Sequence, residues 1–178
     1  MLNRLEKAFD RVKQILGKVM SLLLVLMVFN VFYDVIMRYF FHNSSVAMQE
    51  LEWHLFSVII LFGISVALLD EGHVRVDFLY DRFSEKTKAL INITGTICFL
   101  IPLALLVFFG SLEFVWDAFE IKEISEDPGG LHYRWLIKGM IPLSFAVLIL
   151  FSIGYTIKNI NRLRLSGSKE NRDMGAAK

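Results

Sequence analysis

The sequence is short of cysteine and has almost no excess charge of either sign, and both shortages exclude classes of protein. Its one cysteine, Cys98, permits no internal disulfide and no cysteine-based zinc or iron–sulfur site. Nineteen Lys and Arg against 18 Asp and Glu give a net charge of +1, which argues against nucleic acid as the main partner. Disorder is excluded in turn, because the 178 residues are 55% hydrophobic and include 16 Phe, 5 Tyr and 3 Trp.

Charge is missing altogether from four apolar runs, at residues 19–33, 55–69, 89–112 and 139–157. A bilayer core of about 30 Å needs about 20 helical residues. The third and fourth runs meet this length alone, and the first two meet it if charged side chains near their ends reach towards water. A soluble helical bundle would need polar stripes on its outer faces, which these runs lack. The sequence therefore predicts an all-α integral membrane protein with four transmembrane helices, at about residues 18–41, 51–70, 89–112 and 136–157.

The distribution of Lys and Arg predicts the orientation of these helices. Five lie in the first 18 residues, four in the link from Asp70 to Lys88, and six in the tail from Lys158. The first and third links carry only one and three. Because cytoplasmic segments are enriched in positive charge, both termini and the second link are predicted to be cytoplasmic.

The two ends of the chain are predicted to differ from the transmembrane domain, residues 18–160. In residues 1–17 the apolar side chains fall on one helical stripe and the charged side chains lie elsewhere. This pattern predicts an amphipathic helix in the membrane interface, although a water-exposed extension of the first span would show it as well. Residues 161–178 are rich in small and charged residues, so they are predicted to form a disordered cytoplasmic tail.

Charged side chains at the outer ends of the first two spans form one candidate site. Asp34 and Arg38 share a helical face, and Glu50 and His54 do so if the second helix has begun there, with Glu52 between them. Charges this close to a membrane core usually pair or face protein. The residues therefore predict either an ion-pair cluster that holds helices or a partner together, or an ion pathway. The cluster is favoured, because no acid or base lies at mid-membrane depth.

The end of the second span carries a compact polar set, in which His73, Arg75 and Asp77 alternate with Val74 and Val76. At the membrane surface these donors and acceptors could fix the turn between two spans, bind lipid head groups or meet another subunit. All three roles stay open from the residues alone.

The third link is acidic and includes Glu120, Glu123, Glu126 and Asp127, followed directly by a Pro-Gly-Gly turn. An acidic surface on the outer side of the membrane is suited to docking of a soluble partner. Ordinary solvation is the more common reason for a run of charge. Both interpretations are retained.

Catalytic and cofactor sites find little support in the sequence. It contains no nucleophile–base pair, phosphate-binding loop or glycine-rich dinucleotide turn, so no enzyme is predicted. His42 and His54 lie near one membrane surface, and facing helices can hold haem between two histidines. This leaves one alternative function, a haem- or quinone-associated membrane anchor of a respiratory enzyme; otherwise no metal or cofactor is expected.

Two separated groups of motifs resemble the small membrane subunit (the DctQ-like subunit) of tripartite ATP-independent periplasmic (TRAP) transporters. The first group is Gln49-Glu50-Leu51-Glu52-Trp53-His54-Leu55-Phe56, then Gly63, then His73-Val74-Arg75-Val76-Asp77. The second is Pro128-Gly129-Gly130-Leu131, Arg134-Trp135-Leu136-Ile137-Lys138 and Ile141-Pro142-Leu143. The resemblance covers roughly residues 20–160, and the predicted four-span topology agrees with it.

The resemblance implies a small permease subunit in the bacterial inner membrane. Its transporter would import organic acids with a sodium gradient, after a periplasmic binding protein captures them. A large multi-span subunit would hold the substrate and sodium sites. This chain would support that subunit, with membrane lipids beside it, and extend the docking surface.

The resemblance also implies which residues serve subunit or lipid interfaces or folding, and it makes none of them catalytic. They are Glu50, Glu52, Trp53, His73, Arg75, Asp77, Trp135 and Lys138.

Overall fold

The computed structural model describes the backbone of residues 2–70 and 83–176, and the side chains of residues 6–70 and 83–164. Within these ranges the chain forms helices and no strand. The helices are α1 (Leu2–Phe40), α2 (Val46–Leu69), α3 (Glu85–Glu120) and α4 (Arg134–Ala176). All four are long and apolar enough to cross a membrane, which confirms the predicted all-α fold with four membrane-spanning helices.

Helices α1 and α3 end in the same kind of turn. His42 follows α1 with a φ of 53°, and the next backbone N–H, of Asn43, donates to a carbonyl of the last helical turn at 3.0 Å. Lys122 follows α3 with a φ of 50°, and the Glu123 N–H donates to the Ala118 carbonyl at 2.9 Å. A left-handed residue at this position lets the chain turn while the last helical carbonyls stay satisfied. The second of these turns also fixes the position of Glu123.

Helix α3 contains one irregular turn, because Thr96–Leu100 is π-helical. Pro102 follows it closely, and proline has no backbone N–H and crowds the carbonyl four residues earlier, here that of Cys98. A wider π turn around Cys98 relieves that crowding without ending the helix. Pro142 lies inside α4, which also continues past it.

The four helices pack as a row in the order α1, α2, α4, α3. Helix α4 packs against both α2 and α3, whereas α1 packs mainly against α2. Helices α1 and α2 are antiparallel, with Lys13 Nζ 2.5 Å from the Asp70 carboxylate at one end. Towards the other end, Asn30 Nδ2 donates to the Met48 carbonyl at 2.9 Å. These ends are called the Asp70 end and the Glu50 end below.

The buried core is small and lies where α2, α3 and α4 meet. It consists of Leu68, Leu69, Ala104, Leu148, Phe151 and Tyr155. Most apolar side chains of the spans face outwards. In the most apolar 18 residues of each helix, only between 6% and 28% of the residues are buried. A soluble monomer does not expose apolar surface on this scale to water. The outer faces are therefore suited to lipid or to a membrane partner.

The N-terminal segment continues into the first span as one helix, with no break at residue 17. At the Asp70 end it packs on α4, where the Phe9 ring meets Phe151 edge-on with the centroids 6.4 Å apart. Asn161 donates a hydrogen bond to the Glu6 carboxylate at 3.1 Å. The described part of this segment thus contacts protein, and its position in the membrane interface stays a prediction.

Helix α4 continues past its span to Ala176. The disordered cytoplasmic tail expected for residues 161–178 stays a prediction. Adding a residue to an existing helix costs far less free energy than starting a helix. A polar segment can therefore continue the helix that the apolar span has begun.

Candidate functional site

The Glu50 carboxylate joins the first turns of α2 to the α3–α4 link, residues 121–133. It accepts one hydrogen bond from the Ser125 hydroxyl and another, at 2.5 Å, from the Leu131 backbone N–H. The Ser125 N–H donates to the Leu131 carbonyl at 3.1 Å, which closes residues 125–131 into a loop. Gly130 lies against this contact, because a Cβ there would come within 2.8 Å of Glu50 Oε2. Glu50 therefore holds both ends of the 125–131 loop.

A second carboxylate, Glu123, ties the same link to the start of α4. It forms an ion pair with Lys138, and its other oxygen lies 3.9 Å from Arg134 Nε. Its backbone carbonyl accepts a hydrogen bond from the Arg134 N–H at 3.1 Å. The Lys138 ammonium also lies 4.0 Å from the centroid of the Phe114 ring, a cation–π contact with the end of α3. Lys138 and Glu123 thus connect α3, the link and α4.

An open polar cleft of about 400 Å³ lies between the first turns of α2 and α4. Glu50, Trp53, His54, Asp127 and Arg134 are among its lining residues. An apolar groove of about 520 Å³ runs between the same two helices and shares Trp53 with the cleft. The motif at Gln49–Phe56 and the motifs at Pro128–Lys138, which are far apart in the chain, therefore meet at one end of the row.

Trp135 packs against α3. Its ring meets Phe119 edge-on with the centroids 5.3 Å apart, and the Phe119 ring lies 6.1 Å from that of Trp116. Such aromatic side chains are typical of the level at which a membrane meets water. The contact fastens the start of α4 to the end of α3 beside the Lys138 ion pair.

Asp34 and Arg38 form an ion pair along one face of α1. The Asp34 side chain is 3% exposed and that of Arg38 is 45% exposed, so the guanidinium connects a buried carboxylate with the surface. Glu52 is half-buried on α2, and its side chain makes no hydrogen bond or ion pair with another described residue. The arrangement of Asp34 and Arg38 is that of a structural ion pair.

The four acids of the third link, for which docking and ordinary solvation both stayed open, are in different environments. Glu120, Glu126 and Asp127 are exposed, whereas Glu123 is half-buried and paired with Lys138. The negative charge available to a soluble partner is therefore that of the first three.

The two histidines considered as haem ligands, His42 and His54, lie in different surroundings. His54 lines the polar cleft, whereas His42 is exposed in the link after α1 and is not part of that lining. In the described ranges no three His, Cys, Asp or Glu side chains are grouped so that they could hold a metal ion. His73, Arg75 and Asp77 lie outside the described residues.

Sequence reasoning missed Ser125, Gly130 and Phe114 as parts of this site. The Ser125 contact joins residues 75 positions apart, and the Leu131 contact joins residues 81 positions apart. The nearest sequence signal is the Pro-Gly-Gly turn. It indicates that the chain bends there, but it does not show which residue of another helix contacts the bend.

Comparison with known proteins assigns the fold to a family. Residues 27–162 match the family model described as the DctQ component of the tripartite ATP-independent periplasmic transporters. A putative TRAP transporter small permease protein of Haemophilus influenzae is 28% identical over 109 residues, which are 59% of this chain and 66% of that relative. The sialic acid TRAP transporter permease protein SiaT of the same species is 26% identical over 124 residues. That match covers 70% of this chain but only 20% of SiaT.

These relatives, together with four apolar helices of spanning length, make this a multi-pass protein of the bacterial inner membrane. The family match extends from the middle of α1 to the part of α4 beyond Lys158, so it includes every element of the site at the Glu50 end. The chain belongs to the DctQ component family of the TRAP transporters, whose members are transporter components and not enzymes.

Proposed function

We propose that this chain is the small subunit of a sodium-coupled transporter that imports organic acids, and that it supports a large membrane subunit. One observation carries the proposal: the region that matches this chain makes up only a fifth of SiaT, a permease. In that relative a DctQ-like segment is thus covalently joined to a much longer polypeptide. A separate chain of the same kind would meet the same larger component as a subunit.

The distribution of polar side chains favours the role of a supporting subunit and argues against a transport pathway through this chain alone. Buried polar residues of the described spans are almost all uncharged, and they include Asn92, Asn159 and Ser152. Asn92 and Asn159 bond to each other across α3 and α4 at 2.9 Å, and Ser152 bonds within α4. The asparagine pair joins two helices, Ser152 bonds within its own helix, and none of these side chains carries a charge that could form a route across the membrane.

Substrate and coupling ion are assigned to the other components. SiaT is named for sialic acid, a carboxylic acid, which supports organic acids as the substrate class for this chain. A sodium ion and a carboxylate both need several polar or charged ligands, so we place their sites in the large subunit. We expect no resident cofactor in this chain.

The first test is to extract the tagged chain from its native membrane with mild detergent and identify what elutes with it. We expect a large multi-span protein in stoichiometric amount and no haem absorbance. A coloured complex with peripheral redox subunits would contradict the proposal and favour the respiratory anchor. Recovery of the chain alone, under conditions that keep other membrane complexes intact, would contradict the supporting role.

The exposed acids at the Glu50 end are proposed to attract the soluble binding protein. Replacing Glu120, Glu126 and Asp127 by their amides should lower the uptake rate several-fold at low salt and leave the membrane complex intact. The difference from wild type should shrink at high salt, because exposed charges are screened. The control is amide replacement of Asp10 at the Asp70 end, which should leave uptake unchanged. Normal uptake by the triple variant at low salt would contradict the docking role.

A further inference from the structure

We infer that Glu50 is a positioning residue for docking: it holds the 125–131 loop in one orientation so that the loop can receive the soluble binding protein. The inference rests on the proposed function, because it needs a membrane complex that meets such a protein. Beyond the exposed acids of the proposed function, it assigns a role in docking to Glu50 of α2 and to residues 125–131 of the link.

The loop is held by specific contacts and contains no regular secondary structure. Its two ends are bonded to each other through the Ser125 N–H and the Leu131 carbonyl. Asp127 N–H donates to the Ser125 hydroxyl oxygen at 3.2 Å, and Gly130 N–H donates to the Asp127 carbonyl at 3.0 Å. These bonds give the loop its shape but leave its direction relative to the helices undefined.

Glu50 supplies that direction, since its carboxylate comes from a different helix and bonds to both ends of the loop. A charged acceptor forms stronger hydrogen bonds than a neutral one. The packing leaves no spare room, because a Cβ on Gly130 would overlap the Ser125 side chain as well as approach Glu50. Glu123 holds the preceding residues of the link independently, through Lys138 and Arg134.

The tip of the loop projects outwards. Glu126, Asp127, Pro128 and Gly129 are exposed, and Gly129 has a φ of 83°, which glycine adopts without strain. The charge distribution predicts that this end of the row faces away from the cytoplasm. A soluble protein outside the inner membrane would therefore meet this tip.

Prior ordering of the loop would strengthen docking for an entropic reason. A loop that is mobile before binding loses conformational freedom when a partner immobilises it, and this loss weakens the complex. Removing the Glu50 carboxylate should therefore weaken docking while the loop keeps all of its exposed side chains.

The test uses the complete membrane complex in lipid nanodiscs, titrated with the purified, fluorescently labelled binding protein of the same transporter. Three variants are compared with wild type: Glu50→Ala, Ser125→Ala, and the control Ser45→Ala, at the residue before α2, whose side chain makes no capping hydrogen bond. Hydrogen exchange of residues 125–131 is measured in parallel. Glu50→Gln keeps one acceptor oxygen and serves as the conservative variant.

We expect Glu50→Ala to speed exchange in the loop and to raise the Kd for the binding protein about tenfold. Ser125→Ala should change both quantities in the same direction but less, Glu50→Gln should recover part of the loss, and Ser45→Ala should match wild type. Recovery of the large subunit should be equal in all of them.

Faster exchange with an unchanged Kd would overturn the inference, because the loop would then take no part in docking. Unchanged exchange in Glu50→Ala would overturn it too, since Glu50 would not hold the loop. Loss of the large subunit in both Glu50→Ala and Ser125→Ala would assign these residues to assembly instead. Failure of the proposed function looks different, because the wild-type chain itself would then yield no large subunit.

Discussion

Replacing Gly154 with Ala is expected to destabilise the protein, although alanine normally favours a helix. A Cβ at residue 154 would lie 2.7 Å from Cγ of Phe9, the atom at which the ring joins its side chain. Relief of that overlap requires Phe9 to leave its edge-on contact with Phe151, or α1 and α4 to move apart. Overpacking of this kind costs about 1–3 kcal/mol. Thermal unfolding of the detergent-purified protein should show a lower Tm.

Two comparisons isolate the clash as the cause. Gly110→Ala on α3 is the matched control, because a Cβ there meets nothing within 4 Å, and it should be neutral or stabilising by up to about 1 kcal/mol. In a Phe9→Ala background, Gly154→Ala should likewise be neutral or stabilising, since the ring is gone. An unchanged Tm for Gly154→Ala alone would mean that Phe9 does not occupy this position on α4.

Lys138→Met is the second substitution with a large expected effect. It keeps the length and apolar stem of the side chain but removes the charge that pairs with Glu123 and lies over the Phe114 ring. Both members of the pair are about one-fifth exposed, so Glu123 would be left partly buried with a single weak contact to Arg134 at 3.9 Å. Losing a hydrogen bond between charged groups costs about 1.5–3 kcal/mol. We expect a loss of that size in the free energy of unfolding.

Lys122→Met provides the control, because Lys122 is exposed in the same link and should change stability by less than about 0.5 kcal/mol. Glu123→Gln, alone and with Lys138→Met, completes a double-mutant cycle. If the two changes are additive, Lys138 and Glu123 are not coupled and the ion pair contributes nothing measurable. A coupling of more than about 0.5 kcal/mol would support the pairing.

Many residues of the site can be identified from the sequence, but the residues that they contact cannot. Glu50 and Lys138 stand out as charges beside apolar runs, and the family resemblance selects both. Their partners are a Ser125 hydroxyl and a Leu131 backbone N–H for the first, and Glu123 for the second. Glu123 was one of four acids for which docking and ordinary solvation both stayed open, because a run of acids in a link carries no sign of which member has an internal cation.

Some helix ends can likewise be predicted from the sequence, whereas others cannot. Ser84 caps α3, with its hydroxyl accepting from the Thr87 N–H at 3.2 Å, and a serine before a polar first turn is a readable signal. The turn after α1 uses His42 in a left-handed conformation, where glycine would be the usual residue, so that end carries no such signal. Similarly, Pro102 predicts an irregularity in α3, but the sequence does not show that this irregularity is a π turn.

The sequence by itself determined the four spans and the family, whereas the tertiary structure decided the order of the helices and the pairing of their charges. The physical reason lies in the range of each interaction. Inside a bilayer every backbone polar group must be satisfied within its own helix, so an uncharged run of sufficient length is enough to define a span. Which faces then meet depends on side-chain shape, such as the gap that Gly154 leaves for Phe9, and that shape exists only after the helices have packed.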